Sequence, residues 1–210
     1  MIKSIKKIVK AEPYKLSAAK GLDAKRIPPK PLVLAAERFL QQTYGKPDGG
    51  ENDRNLWLEK LSPPHVYLNH RLLMAKELDP GAVADRLADW LRTQPGILAA
   101  YPAHRFSGAR GGDPVRVQVR ASYHPDRGGD VVVVTKPYSL LDDYETGTSH
   151  GTPHEYDTHV PLIVFAPGVA GGVRTEKVTP LHAAAIASRL LGVDPPKTAE
   201  YPVPASLYGK

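Results

Sequence analysis

The chain has 210 residues, of which 41% are hydrophobic and 24% charged, with no cysteine and a formal charge of +6. That length suits one substantial core, or one core with an appended lobe, and the composition argues against wholesale disorder. Without cysteine, disulfides, thiolate metal sites and cysteine nucleophiles are excluded, so any metal must be held by His and carboxylate; nor does any apolar run approach the roughly 20 residues of a membrane span.

The charge is unevenly spread. Residues 1–30 hold nine Lys or Arg against Glu12 and Asp23, a balance of +7, which leaves the remainder at −1. The start, Met1-Ile2-Lys3-Ser4-Ile5-Lys6-Lys7-Ile8-Val9-Lys10, is basic like a signal peptide, but lysines interrupt every apolar group. No h-region exists there, so a classical secretory signal is not expected. A basic arm can touch nucleic acid or an anionic membrane, yet without interleaved aromatics nucleic acid is not favoured, and a solvated tail is the plainer reading.

Residues 21–31 are rich in Lys and Pro and read as linker. Pro31 then suits the first position of a helix in which Leu32, Ala35, Ala36, Phe39 and Leu40 recur at helical spacing, closed by Gly45. After the turn-rich Pro47-Asp48-Gly49-Gly50, the stretches 55–61 and 65–69 read as a hairpin around Pro63-Pro64. Asp79-Pro80-Gly81 opens a second helix with Val83, Leu87, Trp90 and Leu91 on one face, ending before Pro95-Gly96. Residues 97–101 read as a strand, as do 115–122, where Val115, Val117 and Val119 alternate; Val131-Val132-Val133-Val134 reads as a fully buried strand. Residues 162–165 are expected as a further buried strand, and 178–191 as a helix ended by Gly192 and Pro195-Pro196. The pattern is mixed α/β without internal repeats.

Chemistry concentrates in Thr146-Gly147-Thr148-Ser149-His150-Gly151-Thr152-Pro153-His154-Glu155-Tyr156-Asp157-Thr158-His159-Val160-Pro161-Leu162-Ile163-Val164-Phe165. Three histidines and two acids lie there between a Gly-rich turn and an apolar run, and His is the side chain most suited to metals and proton transfer near neutral pH. His150 and His154 are four apart, which on a helix would place both on one face, but Gly151 and Pro153 argue against a helix. Three readings remain: a self-contained metal site; His150 alone as a ligand, with partners from distant parts of the chain; and His154 and His159 as hydrogen-bonded loop and strand-edge residues.

The block resembles the last metal-binding segment of the alkaline phosphatase superfamily, in the branch of type I phosphodiesterases, nucleotide pyrophosphatases and phosphate-irrepressible alkaline phosphatases. There, a Gly-x-x-His-Gly segment followed by Tyr-Asp-x-His-Val-Pro and Leu-Ile-Val-Phe-x-x-Pro-Gly supplies one His to a two-zinc site, and His150 matches that ligand. Pro64-His65-Val66-Tyr67-Leu68-Asn69, Pro95-Gly96-Ile97 and Tyr123-His124-Pro125-Asp126-Arg127-Gly128-Gly129-Asp130-Val131 resemble the family's insert and the strand after it. The likeness spans about residues 30–205. It departs near the carboxyl end, where the family prefers Asp-Ile-Ala-Pro-Thr and this chain has His182-Ala183-Ala184-Ala185-Ile186. His182 is expected to be solvated or capped.

The resemblance implies a fold class of α/β: the C-terminal part of an alkaline-phosphatase-like α/β sandwich with a small α+β insert. Residues 1–30 would be tail and linker, 31–122 the insert-like region, and 123–210 part of the core, with the strands at 131–134 and 162–165 joining a sheet built mainly by other residues. It also implies in-line displacement at phosphorus by a Thr or Ser alkoxide between two zinc ions. The family's other ligands and its nucleophile come from an early Asp, an Asp-x-x-x-His pair and an Asp-His-Gly turn. The only Asp before residue 48 is Asp23, and no His precedes His65. Thr146, Thr148 and Ser149 neighbour His150, but the family's nucleophile belongs to the part without a counterpart here.

The expectation is therefore the C-terminal fragment of a zinc-dependent phosphate monoester or diester hydrolase, a truncated gene or half of a split enzyme, with His150 as a zinc ligand. His154, Asp157 and His159 are weaker candidates near the site. An amino-terminal half is the expected partner, a phosphate ester the substrate of the complete enzyme, and the chain alone is expected to be inactive. The family is usually exported. Two rivals stand beside this: a non-catalytic binding module that uses the basic arm for an anionic partner, and a complete small enzyme with a site at His150, His154 and His159.

Overall fold

The computed structural model describes residues 21–47, 56–107, 112–144 and 147–207. The basic arm through residue 20 lies outside the described residues, as does the turn at 48–50. The chain divides into two compact units, Met1–Thr158 and His159–Lys210.

In the first unit, helix α1 (Pro29–Tyr44) begins with proline in its first turn and buries Leu32, Ala36 and Leu40 along one stripe. Gly45, at φ +86°, closes it by donating its N–H to the Gln41 carbonyl. Glu37 shares the buried stripe. Its two carboxylate oxygens accept the backbone N–H groups of Trp57 (3.0 Å) and Leu58 (2.7 Å), so a charged side chain delivers the chain to its first long strand.

The expected hairpin is β2 (Leu58–Ser62) and β3 (His65–Leu68), paired antiparallel. Helix α2 (His70–Ala75) follows, capped by Asn69, whose side chain accepts from Leu72 N–H. Helix α3 (Pro80–Arg92) has Asp79 as its N-cap, accepting from Ala82 N–H, and buries Val83, Ala84, Leu87, Ala88 and Leu91. Strand β4 (Ile97–Pro102) runs into a 3₁₀ turn (Ala103–Phe106).

Residues 115–122 overturn the strand expectation, because they lie in helix α4 (Pro114–Ser122). Asp113 caps it by accepting from Arg116 N–H, and Pro114 sits in the first turn. The alternating valines fall on different sides of the helix: Val119 is buried and packed with Val115 nearby, while Val117 is 48% exposed. Tyr101 donates its hydroxyl to the Asp113 carboxylate at 3.1 Å, tying the cap to β4. Burial first, and that hydrogen bond second, push the Tyr101 hydroxyl up to about 12.

Strand β5 (Val131–Thr135) is buried at every position, as a run of four valines suggests. It lies between β3 and β4 in an antiparallel sheet of order β2-β3-β5-β4. This corrects the expectation that it would join a sheet built mainly by other residues, since both of its neighbours come from this unit. Val131 and Val133 pack with Leu68, Leu87 and Leu91 on the face covered by α1 and α3. Val132 and Val134 pack with Phe106 and Val119 on the other face. Asp130 aligns the entry to β5: one oxygen accepts Leu68 N–H and the other pairs with His70 Nε2, both at 2.7 Å. Gly129 lies so close to β3 that a β-carbon would sit 2.5 Å from the Val66 carbonyl oxygen. The linker contributes β1 (Arg26–Ile27), which pairs in parallel with β6 (Leu140–Leu141).

The second unit contains helix α6 (His182–Leu191) and a closing 3₁₀ turn (Ala205–Leu207); the short helix α5 (Glu155–Thr158) ends the first unit. Gly192 ends α6 in the left-handed region at φ +68°. As expected for a cap, His182 accepts Thr179 N–H at Nδ1 (3.0 Å), and its ring packs on Tyr201. The helix begins four residues later than the pattern suggested, and residues 162–165 form no strand. Leu162, Ile163 and Phe165 are exposed, because no strand among the described residues pairs with them. No helix among the described residues is long and apolar enough to cross a membrane.

Removing the Glu37 carboxylate orphans two buried N–H groups. Glu37→Ala is expected to lower the stability of the first unit by about 2–4 kcal/mol. Urea unfolding followed by the fluorescence of Trp57 and Trp90, both in that unit, measures it; a loss below the noise would remove Glu37 from the folding argument.

Candidate functional site

The loop at residues 147–154 leaves β6 and borders an open cavity of about 540 Å³, wholly within the first unit. Its floor is β5 from Val132 to Thr135, one wall is Pro63-Pro64-His65, and another is Gln118, Val119 and Ser122 of α4. Ser149, His150, Gly151, Thr152 and Asp157 form the rim.

The loop holds itself by polar contacts to β5 and to its own helix. His154 Nε2 donates to the Thr135 carbonyl oxygen at 2.8 Å, so that nitrogen carries a hydrogen. Asp157 accepts both the N–H (2.9 Å) and the hydroxyl (2.6 Å) of Thr152 at one oxygen, which closes residues 152–157 into a short ring. The Tyr156 hydroxyl accepts Tyr138 N–H at 2.9 Å while the two rings stack with centroids 4.9 Å apart. His154 and Asp157 are thus engaged in holding the loop, and His150 is left exposed on the cavity rim. His159 is exposed at the start of the second unit.

Across the cavity, His65 accepts Gly129 N–H at Nδ1 (3.3 Å), and burial holds its pKa below the usual value of 6.5. It is therefore a neutral acceptor at neutral pH. Reading 115–122 as a strand concealed the contribution of Gln118 and Ser122. The Asp113-Pro114 pair, an N-cap followed by a first-turn proline, is the signal that would have revealed it.

Among the described residues, no group of three or more His, Asp or Glu side chains is arranged to hold a metal ion. A zinc site needs about three or four protein ligands, and the rim offers His150 with its neighbours already engaged. The residues present do not by themselves fit zinc, and no reaction step follows from them alone.

No family model matches the chain. In sequence it is 27% identical over 122 residues to the alkaline phosphatase PafA of Elizabethkingia meningoseptica, covering 58% of this chain and 22% of that protein. In structure it matches the crystal structure of wild-type alkaline phosphatase PafA with a TM-score of 0.76 and 20% identity, over 92% of this chain and 35% of that one. A multiply substituted PafA mutant matches with a TM-score of 0.75 over the same shares. The chain therefore spans about a third of the length of these solved relatives, with 35% of each covered, and shares their fold over that part. The α/β class and the resemblance to the alkaline phosphatase superfamily are both borne out.

Asp157→Ala is expected to release Thr152, raising protease cleavage and amide exchange at residues 149–153 several-fold while shifting the melt of the first unit by only about 1 kcal/mol. Unchanged exchange would mean that the His154 and Tyr156 contacts hold the loop without Asp157. His65 gives a pH signature. A base whose folded pKa is depressed contributes stability that is present above about pH 6.5 and lost as the pH falls toward the folded value. His65→Gln is expected to flatten the fall in stability across that acid window, and an identical pH slope in the variant would show that other groups set it.

Proposed function

We propose that this chain is part of a phosphatase-type hydrolase of phosphate esters, in which His150 is one ligand of a zinc site whose other ligands and nucleophile lie outside these residues. The observation that supports it is the rim loop: His154 and Asp157 are engaged in holding its shape, and His150 stands on the cavity edge. The likeness to PafA supports the phosphatase part of this reading. An imidazole on a fixed loop can join a metal centre without reorganising its support, and one imidazole cannot hold zinc alone. In this reading His154 and Asp157 position the loop rather than bind metal, Thr148 and Ser149 are not nucleophiles, and the isolated chain is inactive.

The test compares two proteins. The isolated chain, equilibrated with micromolar zinc and desalted, is expected to retain less than one zinc per chain and to hydrolyse p-nitrophenyl phosphate no faster than buffer. A hybrid in which the matched segment of PafA is exchanged for this chain is expected to retain zinc and hydrolyse the ester. His150→Ala in the hybrid should weaken zinc retention by at least about tenfold. Stoichiometric zinc and hydrolysis by the isolated chain, both lost in His150→Ala, would instead establish a complete small site around residues 150–159. A hybrid whose zinc is indifferent to His150→Ala would overturn the ligand assignment.

A further inference from the structure

Among the described residues only two that are not glycine have a positive φ, Glu77 (+52°) and Tyr138 (+62°). Glu77 follows α2, where a left-handed residue is an ordinary helix ending. Tyr138 lies in the turn that joins β5 to β6. There Ser139 N–H donates to the Lys136 carbonyl at 3.0 Å, with Pro137 and Tyr138 at the two central positions. That is the pattern of a type II turn, whose second central position suits glycine because a β-carbon is strained there. Both ends of the turn are fixed. Lys136 N–H donates to the Gly96 carbonyl (2.8 Å), and the buried Ser139 accepts Lys25 N–H at its hydroxyl (2.9 Å) and the Thr135 hydroxyl at its carbonyl (3.1 Å). Such surroundings can hold a strained residue, and strain of this kind gathers where a side chain has a task.

We infer that Tyr138 is a positioning residue: its ring holds α5, and through α5 the rim loop that carries His150, against the end of β5. The Tyr138 ring stacks on Tyr156 with 19° between the planes, and Tyr156 in turn meets the His154 ring with centroids 5.4 Å apart. The segment from Thr135 to Tyr138 therefore grips the loop twice, at the Thr135 carbonyl through His154 and at the Tyr138 N–H through the Tyr156 hydroxyl. From α5 the restraint reaches the rim by Asp157, which binds Thr152, two residues beyond His150. Glycine at 138 would relax the turn and keep the N–H, so the stack is what the tyrosine side chain supplies. Both rings remain 44% and 42% exposed, so the pair adds little to the core, and its partner is the loop. The inference deepens the reading proposed above, in which His150 is a ligand, but its geometry lies wholly in the first unit.

Tyr138→Gly separates positioning from folding. In the isolated chain the urea midpoint followed by Trp57 and Trp90 is expected to change little, because relief of the left-handed strain offsets the lost stack. The amides of Ser149 to Thr152 should nevertheless exchange about fivefold faster or more. Tyr138→Phe keeps the stack and should restore the exchange of the unsubstituted chain. In the PafA hybrid, zinc retention should weaken by about tenfold in Tyr138→Gly and recover in Tyr138→Phe.

Unchanged exchange in Tyr138→Gly would overturn the inference, because the loop would then hold without the stack. A midpoint that falls, with faster exchange throughout the first unit, would also overturn it by making Tyr138 a plain structural residue. So would a Tyr138→Phe variant that fails to restore the slow exchange. A hybrid whose zinc depends on His150 but not on Tyr138 would overturn the positioning role and leave the ligand assignment standing. Faster rim exchange in Tyr138→Gly, in a hybrid whose zinc is indifferent to His150→Ala, would uphold the positioning of the loop and defeat the metal assignment alone.

Discussion

The first unit depends on a single buried strand. β5 has β3 on one side, β4 on the other and apolar side chains packed on both faces, so each of its valines is almost wholly buried. Full burial of five residues is tolerable only where the backbone is hydrogen-bonded and the ends are steered. Asp130 does the steering at one end through Leu68 N–H and His70. At the other end the Thr135 hydroxyl donates to the Ser139 carbonyl, and the Thr135 carbonyl accepts from His154. The strand that forms the core therefore also anchors the loop that carries His150.

That link explains why the polar residues of the rim divide as they do. A loop crossing an open cavity has few apolar contacts to hold it, so its rigidity has to come from hydrogen bonds. Asp157 and His154 supply them, and the Tyr138–Tyr156 stack adds an aromatic contact. Sequence spacing could place the three histidines in one block, but it could not tell a supporting imidazole from a presented one. The difference lies in which carbonyl happens to be within reach.

The two misread segments fail for different reasons. Residues 115–122 carry valines at every second position, which matches a strand, yet also at positions 115 and 119, which matches one face of a helix. Asp113 and Pro114 decide between them by capping and starting a helix, as Asp79 and Pro80 do for α3. That evidence was local and legible. Residues 162–165 have the composition of a buried strand, but a strand exists only with a neighbour and a cover. Nothing among the described residues supplies either, so composition and conformation disagree there.

By itself the sequence determined what depends on near neighbours: the Pro-started helices α1 and α3, the glycines that end α1 and α6, the hairpin around Pro63-Pro64, and the buried run that became β5. It also determined the absence of cysteine chemistry and the concentration of histidines at 150–159. Only the tertiary structure decided that β5 lies between β3 and β4, that Glu37 reaches Trp57 and Leu58, that β1 pairs with β6, and that His154 is engaged while His150 is exposed. Each of these joins residues far apart along the chain, and a contact across such a distance is set by the packing of whole layers, which local pattern does not encode.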